Sequence, residues 1–128
     1  MKVDARKAQF GGQKRHDALG SVEIAIHPHL AKLYVFTVNV GEVASAILPT
    51  AASRHLGEGF HILFVNGGVP GDGNVQFIDA DSNPITMSNG DTELEPGDAC
   101  EIYLRGFLNP EEPNWAIFQR TVGTTAKL

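Results

Sequence analysis

The chain holds a single cysteine, Cys100, among 128 residues. That excludes an internal disulfide framework and a multi-cysteine zinc site. No apolar run approaches the ~20 residues a helix needs to cross a bilayer, so no membrane partner is expected. The opening stretch, MKVDARKAQFGGQKRHD, lacks the apolar segment of a secretory signal. Basic residues are scarce after residue 20. Residues 21–128 carry five against thirteen acidic ones, whereas residues 1–20 carry five against two. The two parts, −8 and +3, sum to the net charge of −5. Nucleic acid is therefore an unfavourable partner, because the acidic body repels the phosphates its leader would attract.

What is present fits one domain. Apolar residues make up 42% of the chain, enough for one continuous core at this length. Gly and Pro number 14 and 7, a turn-rich composition that argues against a long helical bundle. The basic segment 1–20 contains Lys2, Arg6, Lys7, Lys14 and Arg15, has few apolar residues and carries Gly11 and Gly12. It reads either as a frayed terminus or as an arm that orders against a partner. On the second reading those five side chains dock electrostatically, and residues 2–18 are dispensable for folding.

Short extended segments follow. Val22, Ile24 and Ile26 alternate in SVEIAI until His27-Pro28-His29 interrupts. LYVFTVNV (33–40) is the strongest strand, with Tyr34, Phe36, Val38 and Val40 on an inward face. Ala44–Leu48 is weaker, and 50–59 has room for one helical turn. FHILFV (60–65) is a nearly continuous apolar run too short for a helix, which predicts a central strand. The 66–74 turn cluster leads to a hairpin of Val75–Ile78 with Ile85–Met87 across an Asx-rich turn. Glu95-Pro96-Gly97-Asp98 has proline and glycine in the order of a tight turn. Cys100, Ile102 and Leu104 then alternate inward, and Trp115, Ile117 and Gln119 share a face opposite Ala116 and Phe118. About eight strands at this spacing predict an all-β, single-domain antiparallel β-sandwich, of the jelly-roll kind or close to it. The expected divisions are an extended N-terminal arm over 1–20, the sandwich over 21–122 and a tail over 123–128.

Candidate chemistry is thin. His27-x-His29 has the spacing of a cupin metal pair, with His61 or His55 as a further ligand, yet Leu30-Ala31-Lys32-Leu33-Tyr34 supplies no carboxylate. Asp79-x-Asp81-x-Asn83 starts like a calcium loop, but Pro84 and Gly90 stand where glycine and glutamate are needed. The glycines of 66–73 precede a strand, whereas a phosphate cradle needs a helix N-terminus. Cys100 falls on an inward register, and no serine sits in a nucleophile elbow. No metal, cofactor or catalytic residue is expected. Tyr103 and Trp115 are the aromatic side chains that could stack on a sugar or meet a partner.

From Ala51 to Arg120, about 55% of the chain, the order of features is distinctive. It runs from AASRHLG through FHILFVNGG and NVQFIDADSNPI to LEPGDACEIYL and WAIFQR. This order resembles a β-rich module of tailed-bacteriophage virion proteins, and at this size is similar to capsid decoration, or cement, proteins. The resemblance implies a non-enzymatic protein made in the host cytoplasm and placed on the capsid exterior. Its implied partners are the major capsid protein and further copies of itself, as a dimer or trimer. The loops 66–74 and 107–114 are secondary contact candidates. Two rival expectations remain: a host-adsorption module of a tail fibre or spike that binds surface carbohydrate through Tyr103 and Trp115, and a cupin-like metalloenzyme using His27, His29 and His61.

Overall fold

A computed structural model of the protein describes residues 12–27, 31–49, 61–104 and 115–120. The predicted helical turn at 50–59, the loop 107–114, the tail 123–128 and the side chains of Lys2, Arg6, Lys7, His29 and His55 lie outside the described residues.

Among the described residues, nine strands form two sheets. They are β1 (Gln13–Leu19), β2 (Glu23–Ala25), β3 (Leu33–Val38), β4 (Val43–Ile47), β5 (His61–Asn66), β6 (Asn74–Ile78), β7 (Glu93–Leu94), β8 (Ala99–Leu104) and β9 (Trp115–Arg120). The five-stranded sheet has the order β1-β3-β5-β8-β9, and the four-stranded sheet β2-β4-β6-β7. The all-β sandwich expected from strand spacing is therefore the architecture, with β5 at the centre of its sheet.

The sheets are mixed, which corrects the expected antiparallel, jelly-roll arrangement. β1–β3, β3–β5, β2–β4 and β4–β6 are parallel, and only β5–β8, β8–β9 and β6–β7 are antiparallel. The first six strands alternate between the layers, so the chain coils around the core. A parallel neighbour needs a long crossover, ordinarily a helix; here a strand of the opposite sheet serves. Gln13 faces Leu33 and Leu33 faces Leu63, separations of 20 and 30 residues. Unequal coils leave no fixed period in the sequence.

Residues 13–19 also correct the arm boundary. They form β1, hydrogen-bonded in register to β3, and His16 packs edge-on against Phe36 with centroids 5.3 Å apart. A deletion of 2–18 would remove this strand. Two further expectations change. Val40 is 72% exposed because β3 stops at Val38 and the chain turns through Gly41, at φ +80°. Ile85–Met87 is not a strand. A lone bridge joins Ile78 to Pro84, and proline has no N–H to extend a ladder, although Ile85 and Met87 are buried.

Between the layers lies a continuous apolar core. Tyr34, Phe36, Ile62, Phe64, Cys100, Ile102, Trp115 and Ile117 face Ala44, Ala46, Val75, Phe77 and Leu94. Phe64 is its hub: it meets Phe36 edge-on at 4.7 Å in its own sheet and Phe77 at 5.0 Å from the other. The Tyr34 hydroxyl donates to the His27 carbonyl at 3.0 Å and accepts the His27 N–H at 2.9 Å, satisfying a buried polar tip.

Among the described residues Asn66, at the end of β5, is the polar side chain with no exposure at all. Its amide donates to the Gly73 and Leu94 carbonyls at 3.1 and 2.9 Å, and its oxygen accepts the Gly68 N–H at 3.1 Å. Its main chain holds the 95–98 turn: Asn66 N–H donates to Asp98 and Gly97 N–H donates to the Asn66 carbonyl. Within that turn Asp98 N–H bonds the Glu95 carbonyl and Gly97 takes φ +88°, as Pro96-Gly97 requires. Gly73 is needed for a different reason, since a Cβ there would collide with the Asn39 and Glu42 carbonyls.

Replacing Asn66 with Leu strands two buried carbonyls and should cost about 2–5 kcal/mol, read by urea denaturation. Asn66→Asp places a carboxylate against the same two oxygens. Its deficit from the wild type should narrow between pH 7 and pH 4, as the protonated acid regains a donor. A gap independent of pH contradicts this account.

Candidate binding surfaces

The outer faces of the two layers differ in chemistry. Strand alternation sends every second side chain away from the core. On the four-stranded sheet, registration aligns Glu23, Ser45, Gln76 and Glu93 in one polar row. Gln76 Nε2 donates to Ser45 Oγ at 2.8 Å, and Asn74 Nδ2 to Glu93 Oε1 at 2.9 Å. On the five-stranded sheet the corresponding row is Gln13, Leu33, Leu63, Glu101 and Phe118. Arg15, Val35, Val65 and Ala99 form the next row. The apolar members lie on β3, β5, β8 and β9, with β1 supplying the polar border, and Phe118 is 46% exposed.

Several of the polar groups on this face engage one another. The His61 and Tyr103 rings stack with centroids 4.4 Å apart and 12° between planes. Phe118 meets Tyr103 edge-on at 5.8 Å. Glu101 Oε1 accepts the Tyr103 hydroxyl at 3.2 Å and lies 3.3 Å from His61 Nε2. The result is an aromatic patch around one carboxylate, supplied by three adjacent strands.

Tyr103 is thus where a contact residue could be, on the outer face. Trp115 is not. It is 6% exposed, lies on the inward register with Ile117, and its indole N–H donates to the Pro49 carbonyl at 2.8 Å. It belongs to the core and offers no ring face to a sugar or a partner. Of the basic residues expected in an arm, Lys14 and Arg15 sit on β1. Lys14 is exposed, and Arg15 Nε donates to both Asp17 carboxylate oxygens at 3.0 Å. Thr37 Oγ1 donates to Asp17 as well, at 3.1 Å. The Arg15 hydrogen bond leads the interactions that hold the Asp17 carboxyl below its ordinary range.

Arg15 and Asp17 also line an open groove of about 420 Å³ at one end of the sheet. The expected contact loop 66–74 forms its other wall, through Gly67, Gly68, Val69 and Asp72. The exposed Val40 and Val69 lie on its margin. Asp72 Oδ2 accepts the Val69 N–H at 2.9 Å, which shapes the loop.

The weaker motifs resolve locally. Asp79 Oδ1 accepts the Asp81 and Asn83 N–H groups, each at 2.9 Å, so the D-x-D-x-N segment is an Asx turn. The Asn83 main-chain hydrogen bond leads the interactions that hold the Asp79 carboxyl below its ordinary range. His61 is committed to the Tyr103–Glu101 cluster. Among the described residues no three His, Cys, Asp or Glu side chains gather as a metal site would require.

Phe118 was not singled out from the sequence, and His61 was considered there only as a metal ligand. The signal was in WAIFQR, whose alternation sets Phe118 opposite Trp115. Burial of Trp115 then dictates exposure of Phe118.

Cys100 is buried, and loss of solvent, with the nearby Glu101 charge, pushes its thiol far up. Burial also raises the Tyr34 phenol. Both groups keep their protons in the folded state at pH values where the unfolded chain releases them. The unfolded chain then binds fewer protons, so stability falls with rising pH. The urea midpoint should therefore decline once pH passes about 9, the ordinary thiol value, and further past about 10, where unfolded tyrosine ionises. Cys100→Ala should flatten the first part of that decline. A wild-type midpoint that holds level from pH 8 to pH 10.5 contradicts this assignment.

In three comparisons with known proteins, no family model, no curated protein and no solved structure matches this chain.

Proposed function

We propose that the protein is a non-enzymatic structural component of a phage virion. It binds the outer capsid surface as a homo-oligomer and strengthens contacts between major capsid protein subunits. The observation that carries this reading is the segregation of charge about β1. The basic side chains Lys2, Arg6 and Lys7 lie just upstream of a strand that continues the series with Lys14 and Arg15. That strand is fastened along the edge of an otherwise acidic sandwich. A cationic leader anchored by a sheet strand supplies attraction to an acidic capsid surface, and the sandwich behind it supplies a rigid body that bridges neighbours. The order of features from Ala51 to Arg120 supports the virion setting.

A carbohydrate-binding role in host adsorption is the second reading, favoured by the His61–Tyr103–Phe118 cluster. Aromatic rings beside a carboxylate on a rigid sheet are a suitable platform for a sugar ring and its hydroxyls.

Co-sedimentation with capsids separates these readings. The full chain should pellet with capsids, and a variant lacking residues 2–11, which leaves β1 whole, should remain in the supernatant with its circular dichroism unchanged. Undiminished binding by the truncated chain overturns the role of the leader. Failure of the full chain to bind, with a positive glycan array, selects the second reading.

A further inference from the structure

The parallel half of the five-stranded sheet has an unusual sequence for a surface layer. LYVFTV and HILFV are nearly continuous apolar runs. Strands of that kind belong to sheets covered on both faces, whereas a half-solvated sheet alternates apolar with polar. The inner face is covered by the four-stranded sheet. The outer face presents Leu33, Leu63, Val65 and Phe118, all partly or well exposed. From these observations we propose that the outer face of the five-stranded sheet is the surface on which a second copy of this chain packs, sheet against sheet. The proposal deepens the functional reading above, which calls for a homo-oligomer, by naming the surface.

Three arguments favour a second copy as the occupant. The first is electrostatic. A chain of net charge −5 repels its own copies. Among the described residues this face carries two carboxylates: Asp17 is paired with Arg15, and Glu101 accepts the Tyr103 hydroxyl beside His61. The opposite face ends in Glu23 and Glu93, and Asp79 and Asp81 sit on an exposed turn. Approach through the five-stranded sheet therefore meets the least repulsion.

The second is shape. A broad, shallow β-face is matched best by another twisted sheet, and two such faces pack about 10 Å apart with interdigitated apolar side chains. A twofold axis sets Leu63 and Phe118 of one copy against the same row of the other. The third is area. Five strands at ~4.8 Å and six residues at ~3.3 Å give a face of about 24 by 20 Å, roughly 480 Å² per copy and roughly 960 Å² for the pair. Side-chain relief raises accessible area above this flat footprint, so the pair reaches the threshold of about 1,000 Å² for a specific interface.

The edges of the molecule point the same way. β1 is charged and bulged between His16 and Leu19, while β2 and β7 have three and two residues. On the free side of β9, Ser88 N–H donates to the Ile117 carbonyl at 2.8 Å and Asn89 Nδ2 to Gln119 Oε1 at 2.6 Å. Pairing edge to edge is thereby discouraged, which leaves the face.

Sedimentation equilibrium of the full chain over a dilution series should show a monomer–dimer equilibrium that tightens as salt screens the net charge. Phe118→Lys should be monomeric at every concentration, with unchanged circular dichroism. Val69→Lys, on the groove margin, should dimerise like the wild type. A methyl NMR dilution series on the unsubstituted protein needs no variant. Concentration-dependent shifts are expected at Leu33, Leu63 and Val65, and none at Val40 or Val69. A wild type that is monomeric throughout, a dimeric Phe118→Lys, or shifts centred on Val40 and Val69 would each overturn the proposal. A monomeric wild type that still pellets with capsids removes the dimer and spares the capsid reading; a dimer that ignores capsids does the reverse.

Discussion

The buried amide of Asn66 is the constraint around which the rest of the molecule is arranged. Its side chain and main chain together join five places: the end of β5, the start of the 67–73 loop, Gly73 ahead of β6, and, far along the chain, the last residue of β7 and the turn before β8. Two of these belong to the five-stranded sheet and two to the four-stranded sheet, so one side chain couples the layers at that end. A polar group with no solvent has to be satisfied in full. That requirement fixes where the 66–74 loop leaves the sheet, and hence the wall it gives to the groove beside Arg15 and Asp17. Asparagine suits the position because it offers two donors and an acceptor in one plane.

The coiling path has a second effect, on the surfaces left over. Because β1 through β6 alternate between layers, the basic N-terminal strand lies at one border of the five-stranded sheet and the aromatic patch lies across β5, β8 and β9. Cationic and aromatic regions therefore share one layer at different positions. The other layer is left polar and acidic.

Much of this was legible in the residues. Period-two alternation located β2, β3, β8 and β9, turn-bounded segments marked β4 and β6, the unbroken run in FHILFV marked β5 as central, and Pro96-Gly97 fixed a turn. Direction was not legible. Alternation reports that one side of a strand is covered, and it carries no information about whether the neighbour runs parallel. Val40 misled because the apolar pattern continued past the point where Gly41 turns the chain. The basic charge of Lys14 and Arg15 suggested a detached arm, yet β1 is held by main-chain hydrogen bonds that composition does not register. For the candidate surface, Tyr103 was recognisable as an available aromatic. Trp115 stood between contact residue and core, because alternation in WAIFQR pairs it with Ile117 on one face without saying which face is inward; its burial decides for the core.

The alternation of layers also bears on how the molecule assembles. Neither layer can be finished first. β3 has to wait for β5 across a thirty-residue excursion that itself lays down β4 of the other layer. Partners so remote must close large loops before any gain is realised, which slows folding relative to hairpin-built sandwiches. The two layers must consequently form and dissolve as one cooperative unit, with no half-built intermediate that stands alone. A body built this way transmits load as a whole rather than peeling strand by strand.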